Sequence, residues 1–262
     1  NQEEIMNKEI VVKEDQLPVD LLDEITASAG EGTTFDSSEM QIPFIRIIQA
    51  LSPQVQKKDP AFIAGADQGD AFNTVTNEHW NGDDGLIVVP CYQETKFLEF
   101  VPRDSGGGFM GELEPNNPDI QKTERKGAKE VLPNGNELVK SDQHYCLVLD
   151  ENGMMQPAIV DMKSSQLKVS RRWKTQIAMQ KIQHPKTKAL LTPAVYATMW
   201  KLTTIQESND QGTWFNWSVT KHGLVQTKDI LGEAKLFREQ VMKGAVKAVD
   251  ETEPLEKDDV PF

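Results

Sequence analysis

Cysteine is nearly absent: Cys91 and Cys146 are the only two in 262 residues. Two thiols cannot supply a disulfide framework, and with no CxxC spacing there is no basis for a zinc ribbon. His144 and Cys146 form an HxC, with His79 and Cys91 elsewhere. Buried cysteines beside strand histidines are the simpler reading of that quartet, so no metal and no other cofactor is expected. Long apolar runs are missing too, which excludes a helix of membrane-spanning length. The acidic start resembles neither a secretory signal nor a mitochondrial leader, and the expected location is cytoplasmic. Enzyme motifs are equally scarce. Ser105-Gly-Gly-Gly-Phe109 lacks the Gly-Lys-Ser/Thr ending of a phosphate-binding loop, and no GxSxG, HExxH or kinase set occurs. Asp67, Asp70, Asp83 and Asp84 could gather metal ions for a nuclease, but loop turns explain them as well, and no catalysis is expected.

Acidic residues are absent from one long stretch of an acidic chain. The net charge is -13, yet Met162 to Gln206 contains no Asp or Glu and nine cations. The remainder therefore sums to -22, concentrated at the ends: residues 1–39 carry eleven acids against Lys8 and Lys13, and residues 250–262 carry six against Lys257. Segregation on this scale points to separate interaction surfaces rather than to a uniformly solvated exterior.

The hydrophobic fraction, 38%, suffices for a core. Residues 1–39 read as an acidic N-terminal arm with one amphipathic stretch, Leu17 to Ile25, that stops at Gly30 and Gly32. A folded domain over 40–249 begins with the β-branched run at Pro43–Ile48. Gly85–Pro90 and Tyr92–Val101 read as two strands, and 103–141, rich in Gly, Pro, Asn and charge, as a long insertion. His144–Leu149 and Pro157–Asp161 form a hairpin about Asp150-Glu-Asn-Gly153. A helix is expected over about 164–183, with Leu167, Trp173 and Ile177 on one side. A second hairpin follows: Val195–Ile205, a turn at 208–212, and Thr213–Thr220. A last helix covers about 227–249. Strands, a helix, then a two-stranded hairpin is the order of a five-stranded OB-type β-barrel, which places a helix between its third and fourth strands. The expected fold is thus mainly β with flanking helices (α+β): an OB-type barrel with a long insertion and acidic terminal extensions.

The C-terminal tail, 250–262, ends Glu253-Pro-Leu-Glu-Lys-Asp-Asp-Val-Pro-Phe262: acids, then an apolar pair closed by an aromatic carboxylate. Asp258, Asp259, Val260, Pro261 and Phe262 resemble the tip of bacterial single-stranded-DNA-binding proteins, which end in several Asp and Ile-Pro-Phe; here Val260 stands for Ile and one Asp is missing. Phage single-stranded-DNA-binding proteins also carry acidic tails with a terminal aromatic. Pro43 through Leu51-Ser-Pro53, Gly65-Ala-Asp-Gln-Gly69 and the aromatic strands look like uncharacterised phage proteins grouped with these binders. Physically, Phe262 can fill a small apolar pocket on a partner while its carboxylate and the acids meet Arg or Lys at the rim.

The basic stretch supplies the other half of a single-strand binder, which needs a positive groove for phosphates and aromatic faces for bases. Lys163, Lys168, Arg171, Arg172, Lys174, Lys181 and Lys201 are the expected phosphate contacts. If the turn at 208–212 sets the register, Gln206 pairs with Trp214 and Trp200 with Thr220. Trp200, Trp214 and Tyr196 then share a stacking face, while Ile205, Phe215, Trp217 and Val219 face the core. The expected function is sequence-independent single-stranded DNA binding in phage replication, recombination or repair, within the host cytoplasm. Polymerase, helicase or nuclease partners would be recruited through the tail, with self-association an open possibility. A metal-dependent nuclease and a virion structural or scaffolding protein are the alternatives.

Overall fold

The computed structural model describes residues 18–27, 41–150, 153–210 and 212–244, and the chain divides into two units, 1–39 and 40–262. In the first, helix α1 (Val19–Ala27) occupies the amphipathic stretch, with Asp20 in its first turn where the helix dipole favours an anion. The second unit opens with β1 (Phe44–Ile47), β2 (Ala71–Asn73), β3 (His79–Trp80) and the long β4 (Leu86–Phe100). Then come β5 (Phe109–Leu113), β6 (Glu124–Lys126), β7 (Lys129–Val131), β8 (Glu137–Leu149) and β9 (Met155–Lys163). Helix α2 (Leu167–Met179), the short pair β10 (Ile182–Gln183) and β11 (Leu190–Leu191), the hairpin β12 (Thr198–Asn209) and β13 (Gly212–Leu224), and helix α3 (Lys228–Met242) complete it.

One mainly β sheet runs β13-β12-β4-β8-β9-β1-β2-β3 and curls into a half-barrel; β5 lies on β4, and β7 joins β6 to β8. Its centre is β4, which pairs with β12 through residues 86–88 and with β8 through 87–100. What sequence reading takes as two strands split at Pro90 is one bulged strand. The ladder steps from Pro90↔Cys146 to Tyr92↔Tyr145 and leaves Cys91 as the extra residue. Proline has no N–H to give the ladder, and a bulge is where a sheet tolerates it. The insertion expected over 103–141 is itself partly structured, since it carries β5, β6, β7 and the first turnless residues of β8. The expected helix is shorter, its first residues forming a 3-10 turn at Ser164–Gln166.

Both faces of the sheet centre are covered. Val88, Cys146, Val148, Val160, Trp200, Leu202 and Trp217 face α2, whose Val169, Trp173 and Ile177 fall at helical spacing. Leu167 is not among them. The alternate residues Val89, Cys91, Tyr145, Leu147 and Ile159 face α3, which applies Ile230, Ala234, Phe237 and Val241. Arg238 of α3 donates to the carbonyl of the bulge residue Cys91 (3.0 Å) and lies over the Tyr92 ring. Thr227 caps α3 by accepting from Ile230 N.

The curl is fastened by polar contacts where strand pairing stops. The Gln49 side-chain amide donates to Phe215 O (3.0 Å) and accepts from Phe215 N (2.9 Å), standing in for a neighbouring strand along β13. Thr204 donates to Gly69 O (2.6 Å), and its own N–H to Gly82 O. The turn into β4 leaves no room for a side chain. Gly85 has φ +66, and a Cβ there would sit 2.1 Å from Leu202 O; Gly127 has φ +65 and open space around it. Gly127→Ala should therefore cost only the left-handed backbone penalty, about 1–2 kcal/mol, and Gly85→Ala clearly more. Equal urea midpoints for the two variants would show that the β4–β12 approach is not tight.

Candidate nucleic-acid interface

The hairpin β12–β13 does not have the register its sequence suggests. Its last pair is Asn209↔Gly212, so Gln206 meets Phe215, Glu207 meets Trp214 and Trp200 meets Lys221. A shift of one residue moves side chains to the opposite face. Trp200 therefore joins the core at 1% exposure, its indole N–H donating to Thr198 (2.9 Å) and its edge meeting Trp173. A base cannot stack on a ring buried that completely, and Trp200 is withdrawn as a stacking residue. Ile205, expected inside, is exposed, whereas Phe215, Trp217 and Val219 do pack on the core. Tyr196 is half-buried in the cluster under α3, on the sheet face away from α2. Trp214 is half-buried as well and lies near the turn of the hairpin. It borders a cleft of about 360 Å³ with Gln49, Leu51, Lys163 and Gln166.

The acid-free stretch finds its counter-charges just outside itself. Lys163 pairs with Asp161 (2.7 Å), Lys174 with Asp142 (2.7 Å) and Lys168 with Glu207 (2.7 Å). Lys168 holds the Glu207 carboxyl below its ordinary range, helped by Asn216 and Trp214. Arg171 and Arg172 are exposed on α2 and make no ion pair with a described residue. Lys181, exposed at the start of β10, donates to Thr192, and Lys186 and Lys188 stand exposed on the β10–β11 turn. Lys201 is half-buried in β12 between Ile87 and Thr220.

A second hollow, of about 440 Å³, lies between α2 and the β12–β13 hairpin, bordered by Lys168, Arg172, Gln176, Glu207 and Trp217. The two hollows follow one another along a seam: residues 163–166 with 213–215, then 168–176 with 217–220. Cationic side chains, an indole face and a groove share this seam, which can accommodate an anionic chain bearing flat bases. Gln49 and Gln176 belong to it and carried no sequence signal. Glu207 could have been noticed as the first acid after the basic run.

α2 is held in place by a buried polar chain. Asp142 accepts from Thr95 (2.8 Å), Ser170 (2.6 Å) and Lys174 (2.7 Å), and Ser170 Oγ lies 2.8 Å from His144 Nε2. Because the Ser170 proton goes to a carboxylate, His144 must donate through Nε2. The imidazole stacks on Trp173 with centroids 4.5 Å apart. An aspartate, a serine and a histidine in contact suggest hydrolysis, but all three are buried, Ser170 and His144 almost wholly, with the serine in the middle. No substrate reaches that hydroxyl, and the chain acts as a latch. Cys91 and Cys146 lie on opposite sheet faces and burial raises both thiols, Cys91 to about 12. Among the described residues no group of three or more ligand-type side chains gathers, and no helix is long and apolar enough to cross a membrane. The expected partner-binding residues Asp258, Asp259, Val260, Pro261 and Phe262 lie outside the described residues.

Burial lowers the His144 pKa from 6.5 to about 3, Lys174 adding to the effect and Asp142 opposing it. The unfolded chain takes up this proton near pH 6.5 and the folded protein does not. Stability should therefore be full above pH 6.5 and fall as the pH drops toward 3, by up to about 1.4 kcal/mol per unit. In His144→Gln, denaturant titrations between pH 4.5 and 6.5 should lose that part of the slope; an unchanged slope would mean that His144 is not held neutral.

A family model described as "Pam3 phage gp34-like protein" matches residues 12–247. Comparison with curated proteins and with solved structures gives no match.

Proposed function

The chain belongs to the Pam3 phage gp34-like family, and we propose that it binds single-stranded DNA without sequence dependence, protecting strands exposed in phage DNA replication, recombination or repair. The observation that carries this reading is the connectivity of the half-barrel. Taking β4, β8, β9, β12 and β13 as five barrel strands, their order across the sheet is third, second, first, fourth, fifth, with α2 between the third and fourth. The helix position is that of an OB-type barrel, a fold suited to oligonucleotides. The insertion at 101–136 then corresponds to the loop between barrel strands one and two, and the connection from Asn209 to Gly212 to the loop between four and five, the two loops with which such barrels grip a strand.

The phosphate track is Arg171 and Arg172 on α2, continuing to Lys181, Lys186 and Lys188, with Trp214 as the base-stacking face. Lys168 and Lys174 serve mainly to anchor the helix through their carboxylates, and Lys163 pairs with Asp161 of its own strand. Lys201, in the middle of the sheet, borders the track at most. The tail recruits replication proteins such as a polymerase, helicase or nuclease, Phe262 entering an apolar pocket and the acids meeting basic residues at its rim. The activity is binding, with no bond made or broken.

Fluorescence anisotropy on labelled oligo-dT and on duplex at two salt concentrations tests this. Tight, salt-sensitive preference for the single strand is expected, retained after truncation beyond Asp250. Arg171→Ala/Arg172→Ala should flatten the log–log salt slope by about 1.4, at about 0.7 per phosphate contact on single strands. Trp214→Ala should weaken binding by about 1–3 kcal/mol at all salts. Absence of binding by the intact and truncated chains would sink the reading.

A further inference from the structure

An acid at the edge of a cationic groove works against a polyanion, and Glu207 is the one carboxylate among the described residues that border either hollow of the seam. It is held on both oxygens: Asn216 donates to Oε2 (2.9 Å) and Lys168 to Oε1 (2.7 Å). The two holds differ in kind. Asn216 is wholly buried, and its own Oδ1 accepts from Trp217 N (2.8 Å), which fixes the amide with its NH2 group toward Glu207. The Lys168 side chain is 61% exposed, and an ion pair open to water is weak and screened by salt. The carboxylate therefore stays in place, and the ammonium is the part that can swing away. Lys168 and Arg172 stand four residues apart, hence on one side of α2, and both border the 440 Å³ hollow.

We propose that Lys168 is a phosphate seat which Glu207 occupies in the free protein, and that an entering phosphate group takes the ammonium over from the carboxylate. Both ligands offer an anionic oxygen to the same ammonium, so the exchange requires only a new side-chain rotamer and no movement of α2. A strand is favoured over the carboxylate because neutralising its phosphate also releases condensed counterions. Lys168 then extends the row of cations from Arg172 toward the hollow bordered by Trp214. After the exchange Glu207 keeps Asn216 as its partner, and its charge, close to the phosphate, opposes binding. The acid thus limits affinity and shortens residence on the strand. The seat rests on the single-strand reading for the source of its phosphate, a bound strand rather than a free oligophosphate, and adds to that reading one contact and one brake.

Glu207→Gln keeps an acceptor for Asn216 and removes the charge; Lys168→Met keeps the stem and removes the ammonium. The two variants, singly and together, test the exchange, and thermal melts should move little because the pair is exposed. Anisotropy on oligo-dT over a salt series and calorimetry with inorganic tripolyphosphate are the readouts. Glu207→Gln should raise affinity for oligo-dT several-fold and slow its dissociation. Lys168→Met should flatten the log–log salt slope by about 0.7, one phosphate contact on a single strand, with Glu207 present or replaced. A Lys168 that only ties α2 to β12 would leave the slope unchanged in both backgrounds, and Glu207→Gln would then leave affinity unchanged or lower. With oligo-dT bound, that result overturns the seat and leaves the single-strand reading standing. Tripolyphosphate binding that is strengthened by Glu207→Gln and lost in Lys168→Met, without any binding of oligo-dT, would establish the seat while the proposed function failed. No binding of either ligand by any variant would overturn both.

Discussion

A single buried carboxylate, Asp142, ties the sheet to the helix on which the candidate interface is built. It takes hydrogen bonds from Thr95 on β4, from Ser170 and Lys174 on α2, and its lone pairs are well used. Burial alone would raise its pKa, but the bonds from Lys174, Ser170 and Thr95 outweigh that and lower it. Lys174 is 35% exposed, but the Asp142 carboxylate is buried, and leaving it short of hydrogen-bond donors would be costly. The latch therefore fixes α2 in one register on β8. With α2 fixed, Trp173 enters the core beside His144, Arg171 and Arg172 turn outward, and the seam against β13 opens to a definite width.

The distribution of charge follows from the same packing. In a strongly acidic chain the nine cations from 162 to 206 look like one continuous electrostatic surface. Three of them are paired internally: Lys163 with Asp161 of its own strand, and Lys174 and Lys168 with Asp142 and Glu207, which tie α2 to β8 and β12. The exposed arginines and the lysines about β10–β11 are what remains for a polyanion. The positive surface is thus narrower than composition implies and runs along one helix and the small hairpin after it.

Much of the architecture was legible because the signals are local. Alternating and β-branched runs marked the strands, Asn152-Gly153 marked the turn between β8 and β9, and the acid-free amphipathic run marked α2. The mainly β class and the place of the helix in the order follow from these. What failed was non-local or depended on a single residue. Pro90 looked like a strand end because sequence does not show that β8 will pair across a bulge. Trp200 looked like a stacking residue because a turn counted as five residues predicts pairing one residue away from the Asn209↔Gly212 end that forms, and β-structure turns such an offset into a change of face. The ion pairs were hidden because their acids sit on the preceding hairpin and one residue past the run. Gln49 and Gln176 were invisible because a glutamine at a surface and one at a seam read alike.

The central claim is that the seam between α2 and β13 is where a single strand lies. Hydrogen–deuterium exchange with and without saturating oligo-dT tests it most directly. Added protection over residues 166–188 and 213–220, with β8 and α3 unchanged, is the predicted result. Protection confined to the α3 face or to the 101–136 insertion, with the seam unaffected, would contradict it.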